Sequence, residues 1–136
     1  MKTLNIFNET EKDVKEYEIV LNEIFKQVNE QDSFSVIFVS NEKIKDLNNT
    51  YRKINEVTDV LSFLSDEEGY LGDVFIALEK AEAQALEFEH TIKREISFLV
   101  VHGYLHLKGY THDTLEDEKI MNNLTKAILK KDNKKD

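Results

Sequence analysis

The chain has no cysteine among its 136 residues. That excludes disulfides, a thiolate nucleophile and cysteine-ligated zinc, and it fits a reducing cytosol. Proline is absent as well, and neither a linker nor an internal repeat interrupts the pattern. Residues 1–136 therefore read as a single domain, long enough to bury about two-thirds of its unfolded surface. No apolar run approaches a membrane span, and Met1–Asn8 lacks the apolar stretch of a signal peptide. A cytoplasmic location with no membrane partner is expected. Basic residues are the minority, 18 against 27 acidic, for a formal charge of −9. This argues against indiscriminate nucleic-acid affinity, which rests on neutralising phosphates; local patches can still be positive.

Histidine is also scarce, with four in the chain, yet three of them fall in His102-Gly103-Tyr104-Leu105-His106-Leu107-Lys108-Gly109-Tyr110-Thr111-His112. His102 and His106 are four apart, so on a helix they share one face. Gly109 can adopt the left-handed conformation that ends a helix, letting His112 swing back toward the first two. Three converging imidazoles without a fourth protein ligand make an open divalent-metal site, with zinc the first choice. The competing reading is a set of packed core histidines, which the glycine at the turn makes the weaker one. The same spacing occurs in the H-E-x-x-H-x-x-G-x-x-H metalloprotease signature, whose Glu is the general base. Here that position is Gly103, so a zincin-like peptidase or amidohydrolase loses its base.

Periodicity organises the rest. Residues 2–7 read as a strand, Glu11–Asn29 as an amphipathic helix, and Phe34–Val39 as a buried strand. Ser40 is a plausible N-cap for a helix ending near 52–55. Val57–Leu64 and Leu71–Leu78 flank the turn-forming Ser65–Gly69 and predict an antiparallel hairpin. Helices follow over 79–89, over Thr91–Leu107 with Thr91 as N-cap, and over about 115–130; residues 130–136 are expected to fray. The helix carrying the histidines is apolar nearly all round and should be central. The expected fold is α/β (α+β), a mixed sheet of about four strands layered with about five helices, with the metal site on a central helix of the C-terminal half.

Other candidates are less distinctive. Arg52, where a helix gives way to a loop, can grip a phosphate beside the metal or form a surface salt bridge. Asp59 and Asp73 can orient an imidazole or face solvent; Asp59, on an apolar side of its strand, needs a partner. Glu95, two turns before His102, is a candidate base or a group that supports a metal ligand, and Asp113 can orient His112 or cap the last helix. Tyr104 and Tyr110 read as core, and His90, in a polar stretch, as exposed.

The histidine stretch resembles the H-G-x-L-H-L-x-G-Y-D-H signature of the YbeY family of bacterial endoribonucleases. Leu47–Arg52 followed by Thr58–Phe63 is similar to the family's L-N-x-x-Y-R and T-D-V-L-S-F blocks, and Leu71–Ile76 to its L-G-D-I-x-I strand. Arg94-Glu95, Glu118 and Met121 also fit. Thr111 stands where the family usually has Asp, and Asn55, Val57 and Leu64 also depart, none of them at a histidine. The resemblance implies a cytoplasmic metallohydrolase that binds one ion through His102, His106 and His112. It implies single-stranded RNA, not DNA, as substrate, with a role in rRNA maturation and ribosome quality control. Catalytic weight would fall on Arg52 and His102, the ion polarising a phosphate oxygen and activating water. A ribose 2′-hydroxyl remains open as the nucleophile. A different class also stays open: a ribosome-assembly factor with a structural metal, recruited by the small subunit or by assembly proteins, which suits the negative charge.

Overall fold

The computed structural model describes residues 3–133. Its elements are β1 (Leu4–Asn8), α1 (Lys15–Lys26), β2 (Ser33–Val39), α2 (Asn41–Arg52), β3 (Val60–Leu64), β4 (Tyr70–Ala77), α3 (Leu78–Glu87), α4 (Ile92–Leu107) and α5 (Leu115–Asn133). The four strands form one mixed sheet in the order β1-β2-β4-β3. β1 and β4 flank β2 in parallel, and β3 closes the sheet antiparallel to β4. This is the expected α+β arrangement of four strands and five helices. One step differs: the chain leaves β2 through α2, skips the adjacent place and lays β3 at the far edge, so β4 becomes the parallel neighbour of β2.

Alternation along the strands gives the sheet two apolar faces. Phe34, Val36 and Phe38 of β2 and Val74 and Ile76 of β4 are all fully buried, packed with α1, α3, α4 and α5 residues. Ile37, Val39, Leu61 and Ala77 face the other way and are covered by Ile44 of α2. The larger layer is pinned by three rings: Phe25, Phe34 and Tyr104 have centroids 5.1–5.2 Å apart. They tie α1, β2 and α4 together, in a range where aromatic pairs add about 0.5–1.5 kcal/mol beyond burial. Tyr104 is two residues from His102, so it holds the helix from the side opposite the histidines.

Local hydrogen bonds set the element ends. α1 begins at Lys15 rather than Glu11 because Asn8 Oδ1 accepts from the Thr10 backbone, Thr10 Oγ1 from that of Lys12, and Asp13 Oδ1 from that of Lys15, bonds that compete with helix. Ser40 caps α2 as expected, accepting from the Lys43 N–H at 3.1 Å. α5 continues to Asn133, through part of the stretch expected to fray; residues 134–136 lie outside the described residues. No described helix is long and apolar enough to cross a membrane.

Candidate metal centre

α4 places the site. Ten of its residues are buried, as expected of a central helix, and the Thr91 hydroxyl caps its start by accepting from the Arg94 N–H at 3.1 Å. Phe98, His102 and His106, spaced by four, lie one above another on one face. At the C-terminus Gly109 takes φ +99°. The Gly109 N–H donates to the His106 carbonyl and the Tyr110 N–H to that of Leu105, both at 3.0 Å, the paired bonds of a Schellman turn. The reversal returns His112 to the first two histidines. Ring centroids are 4.6 Å apart for His102–His106, 5.6 Å for His102–His112 and 5.2 Å for His106–His112. One ligand nitrogen from each lies within 4.8 Å of the other two.

The donors suit a metal ion. Zinc–imidazole bonds of about 2.0–2.1 Å at tetrahedral angles put ligand nitrogens about 3.3 Å apart. The Nε2 atoms of His102 and His106 are 3.0 Å apart. Burial, then the neighbouring His106 and His112, pushes His102 down to about 4 against the pull of Asp59. Burial, with His112 and the Arg52 guanidinium, lowers His106 too, against a backbone hydrogen bond at Tyr110 and the charge of Asp113. Both rings are therefore neutral at pH 7, with lone pairs available for ligation.

Arg52, at the exposed end of α2, is close enough to act electrostatically on His106. Its loop is held by buried Asn48, whose Nδ2 donates to the Glu56 carbonyl at 3.1 Å and to Thr58 Oγ1 at 3.0 Å. Asp59 precedes β3, which begins at Val60, so it escapes the strand's alternation. It borders a cavity with His102 and accepts from Gln84 Nε2 at 3.2 Å, the partner its setting required. Asp73 instead accepts from the Tyr70 hydroxyl, which also hydrogen-bonds Ser35 Oγ. Gly103 packs on the sheet: a Cβ there would meet Val74 Cγ1 at 2.6 Å. A side chain at this position would be driven into β4, so the place of the protease base is a packing position in this fold.

Several expectations change. Glu95 is not paired with the histidine cluster; buried at 4% exposure, it accepts from Gln84 at 2.9 Å and meets His90 Nε2 at 2.6 Å. His90 is consequently half-buried rather than exposed, because the α3–α4 turn folds it back onto α4. Tyr110 is 39% exposed rather than core, having left the helix at the Schellman turn. Thr114, not Asp113, caps α5 by accepting from the Asp117 N–H at 3.0 Å. Thr111 donates to Asp117 at 3.4 Å, tying the returning segment to that helix. Phe98, 40% exposed and stacked beside His102, is the site residue that reading from sequence absorbed into the apolar stripe; its place one turn before His102 was the available signal.

Comparison with known proteins agrees with this arrangement. The family model described as endoribonuclease YbeY matches residues 4–133. The chain is 47% identical to endoribonuclease YbeY of Acholeplasma laidlawii over 134 residues, covering 97% of this chain and 98% of the relative. It is 37% identical to the Bacillus cereus protein of the same name, covering 93% of each. The solution structure of TM1509 from Thermotoga maritima superposes with a TM-score of 0.63 at 29% identity, covering 94% of this chain and 90% of that one. By sequence over nearly its whole length, and by a backbone that brings its three histidines together, the chain belongs to the endoribonuclease YbeY family.

Proposed function

We propose that the chain is a single metallohydrolase domain that cuts single-stranded RNA in the cytoplasm, in rRNA maturation and ribosome quality control. The observation that carries this is the convergence of three imidazoles from α4 and the segment after it, on a chain whose relatives are endoribonucleases. His102, His106 and His112 are the ligands. A divalent ion held there, zinc foremost, supplies Lewis acidity to a phosphodiester and lowers the pKa of water toward neutrality. Arg52, acting from the His106 side, grips the phosphate and offsets charge developing in the transition state. Burial of His102 keeps its ring unprotonated, so ligation does not compete with a proton at neutral pH. RNA rather than DNA is the substrate, met on the small ribosomal subunit or delivered by assembly proteins.

The test is His106→Ala, read by metal content, RNA cleavage and circular dichroism. Metal and cleavage are expected to vanish together while the fold persists; unchanged cleavage by the metal-free variant overturns the proposal. The charge of −9 favours a second reading, an assembly factor whose metal is structural. Protein that binds the small subunit with its metal loaded, yet never cuts RNA, would establish that alternative. A peptidase using the same histidines is disfavoured by Gly103, whose neighbours leave no room for a base.

A further inference from the structure

A cavity of about 370 Å³ opens beside the histidine cluster, bounded by α4, the approach to β3, and α5. Its volume is on the scale of small-ligand pockets. Leu99 and Met121 supply apolar lining, and Phe98 adds an aromatic ring that is 40% exposed. That ring lies nearly parallel to the His102 imidazole, at 25° with centroids 6.0 Å apart. The polar lining apart from the histidines is Asp59, Glu118 and Asn122. Gln84 holds Asp59 Oδ2 from behind at 3.2 Å and is itself bonded to buried Glu95, so this carboxylate is fixed in direction.

The cavity and Arg52 stand in opposite electrostatic relations to the cluster. Asp59 and Glu118 line the cavity beside His102, with no lysine or arginine among its lining residues, whereas Arg52 lies outside it at the end of α2. A phosphate is drawn toward the guanidinium and repelled by the two carboxylates lining the cavity. A nucleobase has what the cavity lacks: a flat uncharged face to lie on Phe98 and, in adenine, cytosine and guanine, an exocyclic amino group to donate to a carboxylate. Uracil presents two carbonyl oxygens with a single N–H between them, acceptors facing acceptors.

We propose that this cavity receives the nucleobase next to the scissile phosphate, stacked on Phe98, and that Asp59 and Glu118 select amino-bearing bases over uracil. The proposal rests on the endoribonuclease reading and adds a specificity to it. Stacking on one aromatic ring is sequence-tolerant and gives affinity; the two carboxylates supply the discrimination.

The experiment uses metal-loaded protein and unstructured oligouridine strands carrying one guanosine, adenosine or cytidine at a position moved along the strand. Cuts should fall at a fixed offset from the amino-bearing nucleotide, about tenfold above cuts elsewhere, a factor equivalent to about 1.4 kcal/mol. Phe98→Ala, at an exposed position, should lower kcat/KM by about tenfold, mainly through KM, and Glu118→Gln should narrow the base bias. A strand with 2-aminopurine at the selected position reports stacking without cleavage: its fluorescence should be quenched on binding the wild type and not Phe98→Ala. Uniform cutting by the wild type, or bias and quenching that survive Phe98→Ala, overturns the base pocket and leaves the endoribonuclease reading standing. A wild type that cuts none of the strands overturns both.

Discussion

Replacing Gly103 by alanine separates two effects of opposite sign. Within a helix, Ala is favoured over Gly by about 0.8–1.0 kcal/mol, so propensity alone predicts stabilisation. The structure predicts the reverse. The new Cβ would sit 2.6 Å from Val74 Cγ1 and 3.1 Å from both Val74 Cγ2 and Ser62 Oγ. Comfortable carbon–carbon contact begins near 3.5 Å, so about 0.9 Å must be found. Val74 is β-branched, fully buried and mid-strand in β4, and cannot simply rotate away. Overpacking of this kind costs about 1–3 kcal/mol. Lifting α4 instead would stretch the Ser62 hydroxyl bond to the Gly103 carbonyl, already 3.4 Å. Set against the propensity gain, this leaves a net destabilisation of up to about 2 kcal/mol, to be read from urea unfolding of Gly103→Ala. The control is Val74→Ala, which removes both offending methyls. The double variant should fall short of additivity by about 1 kcal/mol or more, within the usual range for contacting residues. Gly103→Ala that is more stable than the wild type, or strictly additive with Val74→Ala, would refute the packing argument.

Other perturbations test separate parts. Glu30 accepts from the Tyr104 hydroxyl at 2.6 Å and from Lys108 Nζ at 3.0 Å. Burial alone would push its carboxyl up, but those bonds, with one from the Asp32 backbone, bring it below the ordinary 4.5. A carboxyl depressed on folding stabilises fully above its unfolded value and loses that contribution as pH falls through the folded value. Glu30→Gln should therefore cost about 1–2 kcal/mol at pH 7, as for hydrogen bonds to charged groups, with the deficit closing in titrations below pH 4.5; a deficit independent of pH would contradict this. Asn48→Ala should cost about 1–3 kcal/mol by stranding the bonds of the loop after Arg52, and RNA cleavage should fall by more than the unfolded fraction explains. Cleavage should also respond weakly to salt. With about two phosphates engaged, the logarithmic slope of binding against salt on single strands is about −1.4, and a slope steeper than about −4 would demand a basic surface.

The site was legible because its determinants are local. A spacing of four and a glycine at the turn are contained in one short stretch, and the Schellman bonds that return His112 involve only residues 105–110. What sequence could not supply depends on distant partners. Gly103 reads as the loss of a catalytic Glu until Val74, from another strand, is placed against it. His90 reads as exposed because its neighbours are polar, but its partner is fixed by how α3 and α4 meet. The start of α1 was missed because short polar side chains claimed its first N–H groups, a competition that periodicity does not register. Strand order was hidden for a similar reason. A hairpin announces that β3 and β4 pair, but which of them joins β2 depends on which presents two apolar faces. β4, with Val74 and Ile76 on one side and Phe75 and Ala77 on the other, takes the inner place, while β3 keeps Ser62 and exposed Leu64 at the edge.

The negative charge of the chain constrains how such a site can handle a polyanion. A surface carrying nine excess acidic charges gains little from long contact with RNA backbone, so affinity must come from a few points or from a partner. Arg52 approaches the cluster from the end of α2, burial disfavours the charged form of His102 and His106, and Asp59 and Glu118 border a cavity beside His102. If a phosphate is met by Arg52 and by an ion on the three histidines, as proposed, a duplex with its phosphates locked in place has little freedom to fit both. An unpaired strand can turn its phosphate to Arg52 and its base to Phe98 in the same step. On that reading a preference for flexible, unpaired RNA would follow from where the charges are scarce, as much as from where they are placed.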